Sequence, residues 1–460
     1  MKNFSLKEIA NFSNGKLNND KFKDIEIFGV SIDSRTINNS EIYMPIIGER
    51  FDGHQFIEDA FKKGALATFS ESGKFKNEEK PIIYVEDTNR AYQDLANSYK
   101  KYLEAKIVAI TGSNGKTTTK DIISSVLETK YKTEKTIGNL NNEIGVPKTI
   151  LNFPADTEIG VIEMGTDGFG QIEVLSKIAN PDIAIITNIG DSHLEQLKTK
   201  ENIAREKLHI IDGMSDNGIF IYNNDDEILR EIVNQTDIQQ RKISFGERTD
   251  SDYIIEILES SNQGTVFKLN DVLYVIPLIG KHQVYNSTVA IIVGILFDVE
   301  SYNIIKAINI KELTSMRSEL MNLNGFDILN DSYKSNPQSL RSALETLDKL
   351  SGYTQKIAIL GDMLELGEDE VKLHRQIGKD INQKQLDYLL LYGPLSKYIM
   401  EEAINNFEDD RVFHFETKED LSEKAKELIK KNTLVLVKAS RSMQLETVIE
   451  ELEDLEFNSI

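Results

Sequence analysis

The stretch "AKIVAITGSNGKTTTKDII" (105–123) constrains this chain more than any other. An apolar, β-branched strand runs directly into a glycine turn and then into a helix. Such a junction aims backbone N–H groups and the positive end of a helix dipole at one point, a natural seat for a phosphate. The commonest phosphate loop reads G-x-x-x-x-G-K-[ST]. Here Gly115, Lys116 and Thr117 supply its end, but Ile110 stands where the first glycine would be and the nearest glycine is Gly112, so the loop is shorter. Gly112, Ser113, Asn114, Gly115, Lys116, Thr117 and Thr118 are the expected ATP-phosphate residues. Lys116 would neutralise the β and γ phosphates, and Thr117 would hold Mg²⁺. The plainer reading is a strand-to-helix turn that happens to contain glycine and lysine.

Strands and helices alternate on both sides of this point. A chain of 460 residues exceeds one ordinary domain, and three regions separate. Residues 1–104 mix short strands ("FGVSIDSR", "EIYMPII", "PIIYVED") with helical stretches, as a small mixed α/β domain. Residues 105–314 add the strands "IGVIEMG", "PDIAIITNIG" and "GIFIYNND", which implies a central P-loop-type ATPase domain on a mainly parallel sheet. Within it, 248–277 alternates like an antiparallel hairpin appendage, and "GKHQVYNSTVAIIVGIL" returns to helix. Residues 315–460 repeat the alternation through "FDILNDSY", "KIAILGDM", "DYLLLYG" and "NTLVLVKAS", a separate Rossmann-like α/β domain.

Composition narrows the chemistry. There is no cysteine, which removes disulfides, thiolate metal sites and cysteine nucleophiles and fits a cytoplasmic setting. A formal charge of −22 argues against a general nucleic-acid binder. No apolar run suggests a membrane span, and the N-terminus does not read as a signal peptide. The histidines lack zinc-hydrolase spacing, and no G-x-S-x-G elbow is present. A monomer is expected.

Ligands of open parallel sheets bind at the carboxyl ends of the strands. "VIEMG" places Glu163 at one such end, and "ITNIGDSHLE" places His193 just beyond another. Both would converge on a magnesium–phosphate cluster, although Mg²⁺ prefers oxygen ligands. By residue type alone His193 reads as a capping or core histidine, and its position turns the reading toward function.

The compact "TGSNGKTTT" resembles the cradle of the Mur ligase superfamily. "GNLNNEIGVP" (138–147), "VIEMG" (161–165), "TNIGDSHLE" (187–195), "GKHQVYNS" (280–287) and "KASRSM" (438–443) follow in that family's order. Two further stretches resemble the branch that adds D-alanyl-D-alanine: "SIDSRTINNSEIYMPIIGERFDGHQFIEDAFKKGA", and "NDSYKSNPQSLRSALETL" with "ILGDMLELGE". The resemblance implies an ATP- and Mg²⁺-dependent amide ligase. It would join D-alanyl-D-alanine to the terminal carboxylate of UDP-MurNAc-tripeptide through an acyl phosphate.

By motif, the resemblance carries over Lys116, His193 and Lys207 as catalytic residues. It makes Thr117, Glu163 and His193 metal ligands, with Lys207 as a fourth if CO₂ carbamylates it. Unaided, Lys207 reads as an ordinary lysine on a helix face. Asn286, Arg317 and Asp331 would contact ATP. Asp33, Ser34 and Arg35, Asn141 and Asn142, and Tyr333 and Asn336 would meet the substrates. Unaided, "DSR" reads as a loop with a surface salt bridge. Two departures from the family pattern, Lys334 in place of Asn and Ala439 in place of Gly, are expected to stay clear of the phosphate cluster, with Lys334 able to alter contacts near the incoming amine. Another ligase of the superfamily, or a nucleotide-dependent switch, remains as an alternative.

Overall fold

A computed structural model describes residues 1–309, 316–455 and 457. The expected boundary at 314/315 lies outside the described residues. The boundary at 104/105 falls between the helix Thr88–Leu103 and the strand Lys106–Thr111.

In the strand Lys106–Thr111, β-branched residues favour extension, and alternate side chains feed opposite faces. Ile107 and Ala109 enter one core, Val108 and Ile110 another. A strand buried on both sides needs helices on both sides. The helices Lys116–Leu127 and Lys281–Leu296 cover one face. The second has apolar residues round most of its circumference and is buried along most of its length.

Among the described residues the central sheet has nine strands. In spatial order they are Thr133–Lys135, Ile159–Glu163, Lys106–Thr111, Ile183–Ile186, Ile219–Asn223, Arg241–Gly246, Tyr253–Ser261, Gly264–Leu269 and Val272–Ile276. Pairing is parallel up to Tyr253–Ser261 and antiparallel beyond it. The expected hairpin at 248–277 is therefore a three-stranded extension of the same sheet. Tyr253 and Ile254 join it by pairing with Phe245 and Gly246. The strand that receives them, Arg241–Gly246, opens with two charged residues and has little apolar signature of its own.

The opposite face of the central sheet is covered by Thr88–Leu103, Gly145–Leu151 and Gln171–Ala179. Here Tyr92, Leu95 and Tyr99 of the first region share one continuous core with Val146, Ile172 and Ala184 of the second. The Tyr99 hydroxyl donates to Phe153 O at 2.8 Å across that junction. The first region's own sheet has five short strands among the described residues, ordered Lys16–Leu17, Ile82–Val85, Ala67–Glu71, Glu41–Tyr43 and Gly29–Ser31.

The C-terminal sheet has six strands among the described residues: Glu319–Asn322, Asp327–Asn330, Thr433–Lys438, Gln355–Gly361, Tyr388–Tyr392 and Val412–Phe415. Only its first pair is antiparallel. Its two faces pack into cores made almost wholly of C-terminal residues.

Candidate active site

The order of the central sheet reverses at Lys106–Thr111, whose later neighbours Ile159–Glu163 and Ile183–Ile186 flank it. The crevice at its carboxyl end is the topological switch point, where such sheets bind ligands. A cleft of about 1050 Å³ opens there, lined by both the central and the C-terminal regions.

The phosphate loop is held by close approach. Gly112 has φ +149°, and a Cβ on it would lie 1.9 Å from Thr187 Oγ1. Gly115 has φ +81°, and a Cβ there would lie 2.6 Å from Asn286 Oδ1. Asn188 engages two loop amides: Ser113 N donates to its carbonyl and Asn114 N to its Oδ1, each at 3.0 Å. The first-turn amides of Lys116–Leu127 have no intrahelical partner and point into the cradle. The Lys116 ammonium donates to Gly112 O at 2.7 Å. Burial pulls its pKa down to about 8 against the opposing pull of Glu163, while Lys334 and Arg317 lower it further.

Thr117 Oγ1 donates to one carboxylate oxygen of Glu163 at 2.8 Å, and Asn141 Nδ2 donates to the other at 2.9 Å. Thr117 and Glu163 are both 3% exposed. Their oxygens form a compact hard-donor pair, and Mg²⁺ commonly takes one or two such ligands and completes its shell with phosphate and water. No group of three or more His, Cys, Asp or Glu that could hold a metal occurs among the described residues. The site therefore fits Mg²⁺ carried in with phosphates rather than a full protein cage.

His193 sits at the same edge with φ +62°, a backbone region that costs energy outside glycine. Burial lowers its pKa, which favours the neutral ring. Its Nε2 lies 3.0 Å from Lys334 Nζ. Its Nδ1 lies 3.1 Å from the Glu365 carboxylate, off the line of a good hydrogen bond. His193 and then Lys334 help hold the Glu365 carboxyl down to about 2 despite its burial. Lys334 thus reaches the phosphate cluster, contrary to the expectation from sequence. His193 Nε2 thus faces the Lys334 ammonium. The reason is the docking of the C-terminal segment 331–336 over the loop.

That docking is polar. Asn336 Nδ2 donates to Asn114 Oδ1 and to Ser192 Oγ, both at 2.8 Å, while its Oδ1 caps the helix Pro337–Lys349 through Ser339 N at 2.8 Å. Asn336, expected to touch substrate, is 1% exposed, does not line the cleft and spends both amide protons on the domain contact. Asn114 Nδ2 adds a bond to Gln338 Oε1 at 3.0 Å. Arg317 stacks on Tyr333, 4.1 Å from the ring centre. Asp331 accepts from Ser318 N at 2.9 Å and from the buried Lys438 at 2.6 Å.

Ser113 through Thr118, Asn141, Asn142, Glu163, His193, Asn286, Arg317, Asp331 and Tyr333 line the cleft. Gly112 lies behind it as a packing residue. Asn142 Oδ1 also accepts from Gly145 N at 2.8 Å, at the start of Gly145–Leu151. Asn286 Oδ1 accepts from Thr119 Oγ1 at 3.1 Å. Lys207 is buried and does not line the cleft; burial, with Lys116 and Lys334 nearby, lowers its pKa well below the ordinary value. Asp33, Ser34 and Arg35 stand apart in the first region. Asp33 and Arg35 form an ion pair at 2.8 Å, and the Arg35 side chain is 83% exposed. Residues that sequence reasoning did not single out include Asn188, Glu365 and Gln338. Each lies in or beside a quoted motif, but none has a distinctive chemistry by type.

Comparison with known proteins bears on this geometry. Residues 26–100 match the model described as Mur ligase family, catalytic domain, residues 110–294 the Mur ligase middle domain, and residues 316–441 the Mur ligase, glutamate ligase domain. The chain is 40% identical, over 97% of its length and 98% of the relative, to a UDP-N-acetylmuramoyl-tripeptide–D-alanyl-D-alanine ligase of Bacillus subtilis. Its identity to the Escherichia coli ligase of the same name is 30%, over 98% of each chain. The fold is similar to MurF from Acinetobacter baumannii, with TM-score 0.90, 27% identity and 99% of each chain covered. It is also similar to MurF ligase from Thermotoga maritima in complex with ADP, with TM-score 0.82, 28% identity, and 92% and 97% covered. With all three domain models matched in order along one continuous architecture, the chain belongs to the Mur ligase family.

Proposed function

We propose that this chain is an ATP-dependent ligase that joins D-alanyl-D-alanine to the terminal carboxylate of UDP-MurNAc-tripeptide, releasing ADP and phosphate and giving UDP-MurNAc-pentapeptide. The observation that carries this reading is the 40% identity to the Bacillus subtilis ligase over 97% of the chain. The cleft supports it, with a phosphate cradle on one wall and a C-terminal domain on the other.

A carboxylate resists attack because a nucleophile would add charge to charge. Transfer of the γ-phosphoryl group to the carboxylate gives an acyl phosphate. The dipeptide amine then adds to its carbonyl, the tetrahedral intermediate expels phosphate, and the amine proton leaves to form the amide. Lys116 and the first-turn amides of its helix hold the phosphates and spread the charge that develops. Thr117 and Glu163 would hold Mg²⁺, which when bound supplies further charge stabilisation at the phosphoryl oxygens. Arg317, stacked on Tyr333, and Asp331 with Lys438 form the C-terminal half of the nucleotide site. Asp33, Ser34 and Arg35 would receive the uridine nucleotide, Arg35 as a fork suited to pyrophosphate. The domain units are 1–104 for the uridine end, 105–314 for ATP and 315–460 for the dipeptide.

Lys207 is the residue we read as carbamylated. Its environment favours the neutral amine, the form that adds CO₂ with loss of one proton. The resulting anion would lie near Lys116 and Lys334. Rescue of Lys207→Ala by a small carboxylate tests this, and full activity without rescue would refute it. We read the chain as a monomer. The substrates suit the cytoplasm.

The deciding experiment is phosphate release from Mg-ATP with UDP-MurNAc-tripeptide and D-alanyl-D-alanine each omitted in turn. Release that needs both, with one pentapeptide per phosphate, is expected. Release that needs neither, or no release with both, would refute the assignment.

A further inference from the structure

His193 has two ring nitrogens, and both face charged groups of the C-terminal domain. Nδ1 is 3.1 Å from Glu365, and Nε2 is 3.0 Å from the Lys334 ammonium, which is itself 3.7 Å from the same carboxylate. Each imidazole nitrogen has a single in-plane position for a proton or a partner. A neutral ring with its proton on Nδ1, toward Glu365, offers the Nε2 lone pair to the ammonium. The same lone pair cannot also bind a metal ion.

We propose that Lys334 stands in for a second divalent cation at His193, so that the loaded site carries one metal ion, at Thr117 and Glu163, rather than two. The inference rests on the ligase reading. It adds that part of the cationic charge facing the transferred phosphoryl group is built into the C-terminal domain.

Three features support this. The backbone that presents Lys334 is pinned, since its carbonyl accepts from the buried Lys438 at 2.8 Å and the adjoining Asn336 is bolted to Asn114 and Ser192. The ammonium is therefore placed by the fold and does not search for a partner from a mobile loop. Second, Lys116 and Arg317 already add positive charge around Lys334. A dication at His193 would meet the Lys334 ammonium at close range. Third, nitrogen is a poor ligand for Mg²⁺, whereas the Thr117–Glu163 oxygens suit it. An ammonium needs no such match and donates readily to the imidazole nitrogen.

This arrangement also makes the charge conditional. His193 belongs to the central domain, whereas Lys334 and Glu365 belong to the C-terminal one. The cation comes to the phosphates only when the domains dock.

The test counts metal ions directly. Full-length chain is saturated with a non-hydrolysable ATP analogue and UDP-MurNAc-tripeptide, and Mn²⁺ bound per chain is measured by electron paramagnetic resonance. Mn²⁺ accepts nitrogen more readily than Mg²⁺, so the probe favours the contrary result. One Mn²⁺ is expected in the native chain and in Lys334→Arg, and two in Lys334→Met, which keeps the side-chain length and loses the charge. Two ions in the native chain would overturn the proposal whatever the variants do. One ion in both the native chain and Lys334→Met, with the analogue bound, would overturn it as well. Failure of the native chain to bind the analogue would bring down the ligase reading, and this inference with it.

Discussion

Replacing Asn336 separates what caps a helix from what joins two domains. Asn336→Ala removes three hydrogen bonds: the cap to Ser339 N and the donations to Asn114 Oδ1 and Ser192 Oγ, all at 2.8 Å. Losing the cap costs about 1 kcal/mol within the C-terminal domain. Each donated bond is worth about 1 kcal/mol net, so the domain contact loses about 2 kcal/mol. That corresponds to roughly a 30-fold shift between docked and undocked arrangements. Asn336→Ser retains a good capping oxygen but cannot reach with two amide protons, so it should show the domain effect alone. The chain has no cysteine, so a pair introduced at the exposed Tyr302 and Asp409 can be spin-labelled uniquely. Inter-label distances measured with ATP analogue and UDP-MurNAc-tripeptide should show a larger undocked fraction in both variants, and kcat/KM should fall in both. If Asn336→Ser matched the native chain while Asn336→Ala lost stability, Asn336 would be a cap and nothing more, and the bolt would be refuted.

Gly115→Ala should weaken binding of an ATP analogue by tenfold or more. The left-handed backbone costs roughly 1 kcal/mol, and the new Cβ, 2.6 Å from Asn286 Oδ1, must displace that amide. Unchanged affinity by calorimetry would contradict the close fit. Lys116 gives a pH signature: its free-state pKa of about 8 should rise when phosphates favour the ammonium, so binding takes up a proton above pH 8 and affinity falls as pH climbs through 8 toward 9. Calorimetry at pH 8.5 in two buffers of different ionisation enthalpy should reveal the uptake, and identical heats would refute it. Glu163→Gln keeps the shape but removes the charge, so the Mg²⁺ concentration for half-maximal phosphate release should rise at least tenfold. An unaltered Mg²⁺ requirement would exclude Glu163 from the metal site.

The phosphate loop was legible because its chemistry is local: glycine, lysine and threonine within a few residues of an apolar strand. Glu163 and His193 were legible because a parallel sheet gathers strand ends at one edge. The role of Asn336 was not, since its partners come from two distant segments and asparagine fits a cap, a bolt or a ligand equally well. Lys334 misled for the same reason; its partner His193 is 141 residues away in sequence. Asn188 was hidden in a quoted motif, because its use is to hold loop amides, a task many polar residues perform. The strand Arg241–Gly246 escaped because it begins with charge, and its pairing is imposed by the sheet that precedes it.

The continuous core joining the first region to the central sheet has a consequence for substrate length. Tyr92, Leu95 and Tyr99 pack with Val146, Ile172 and Ala184 as one apolar body, while the C-terminal domain meets the central one at the loop through polar contacts. The proposed uridine pocket and the phosphate cradle are thus mounted on a single rigid piece. With the uridine nucleotide held there, their separation would act as a ruler: a peptide of the right length would bring its terminal carboxylate to the γ-phosphate, and one residue more or fewer would overshoot or fall short. The C-terminal domain would then need no means of measuring the chain, and would bring the dipeptide to a point already set.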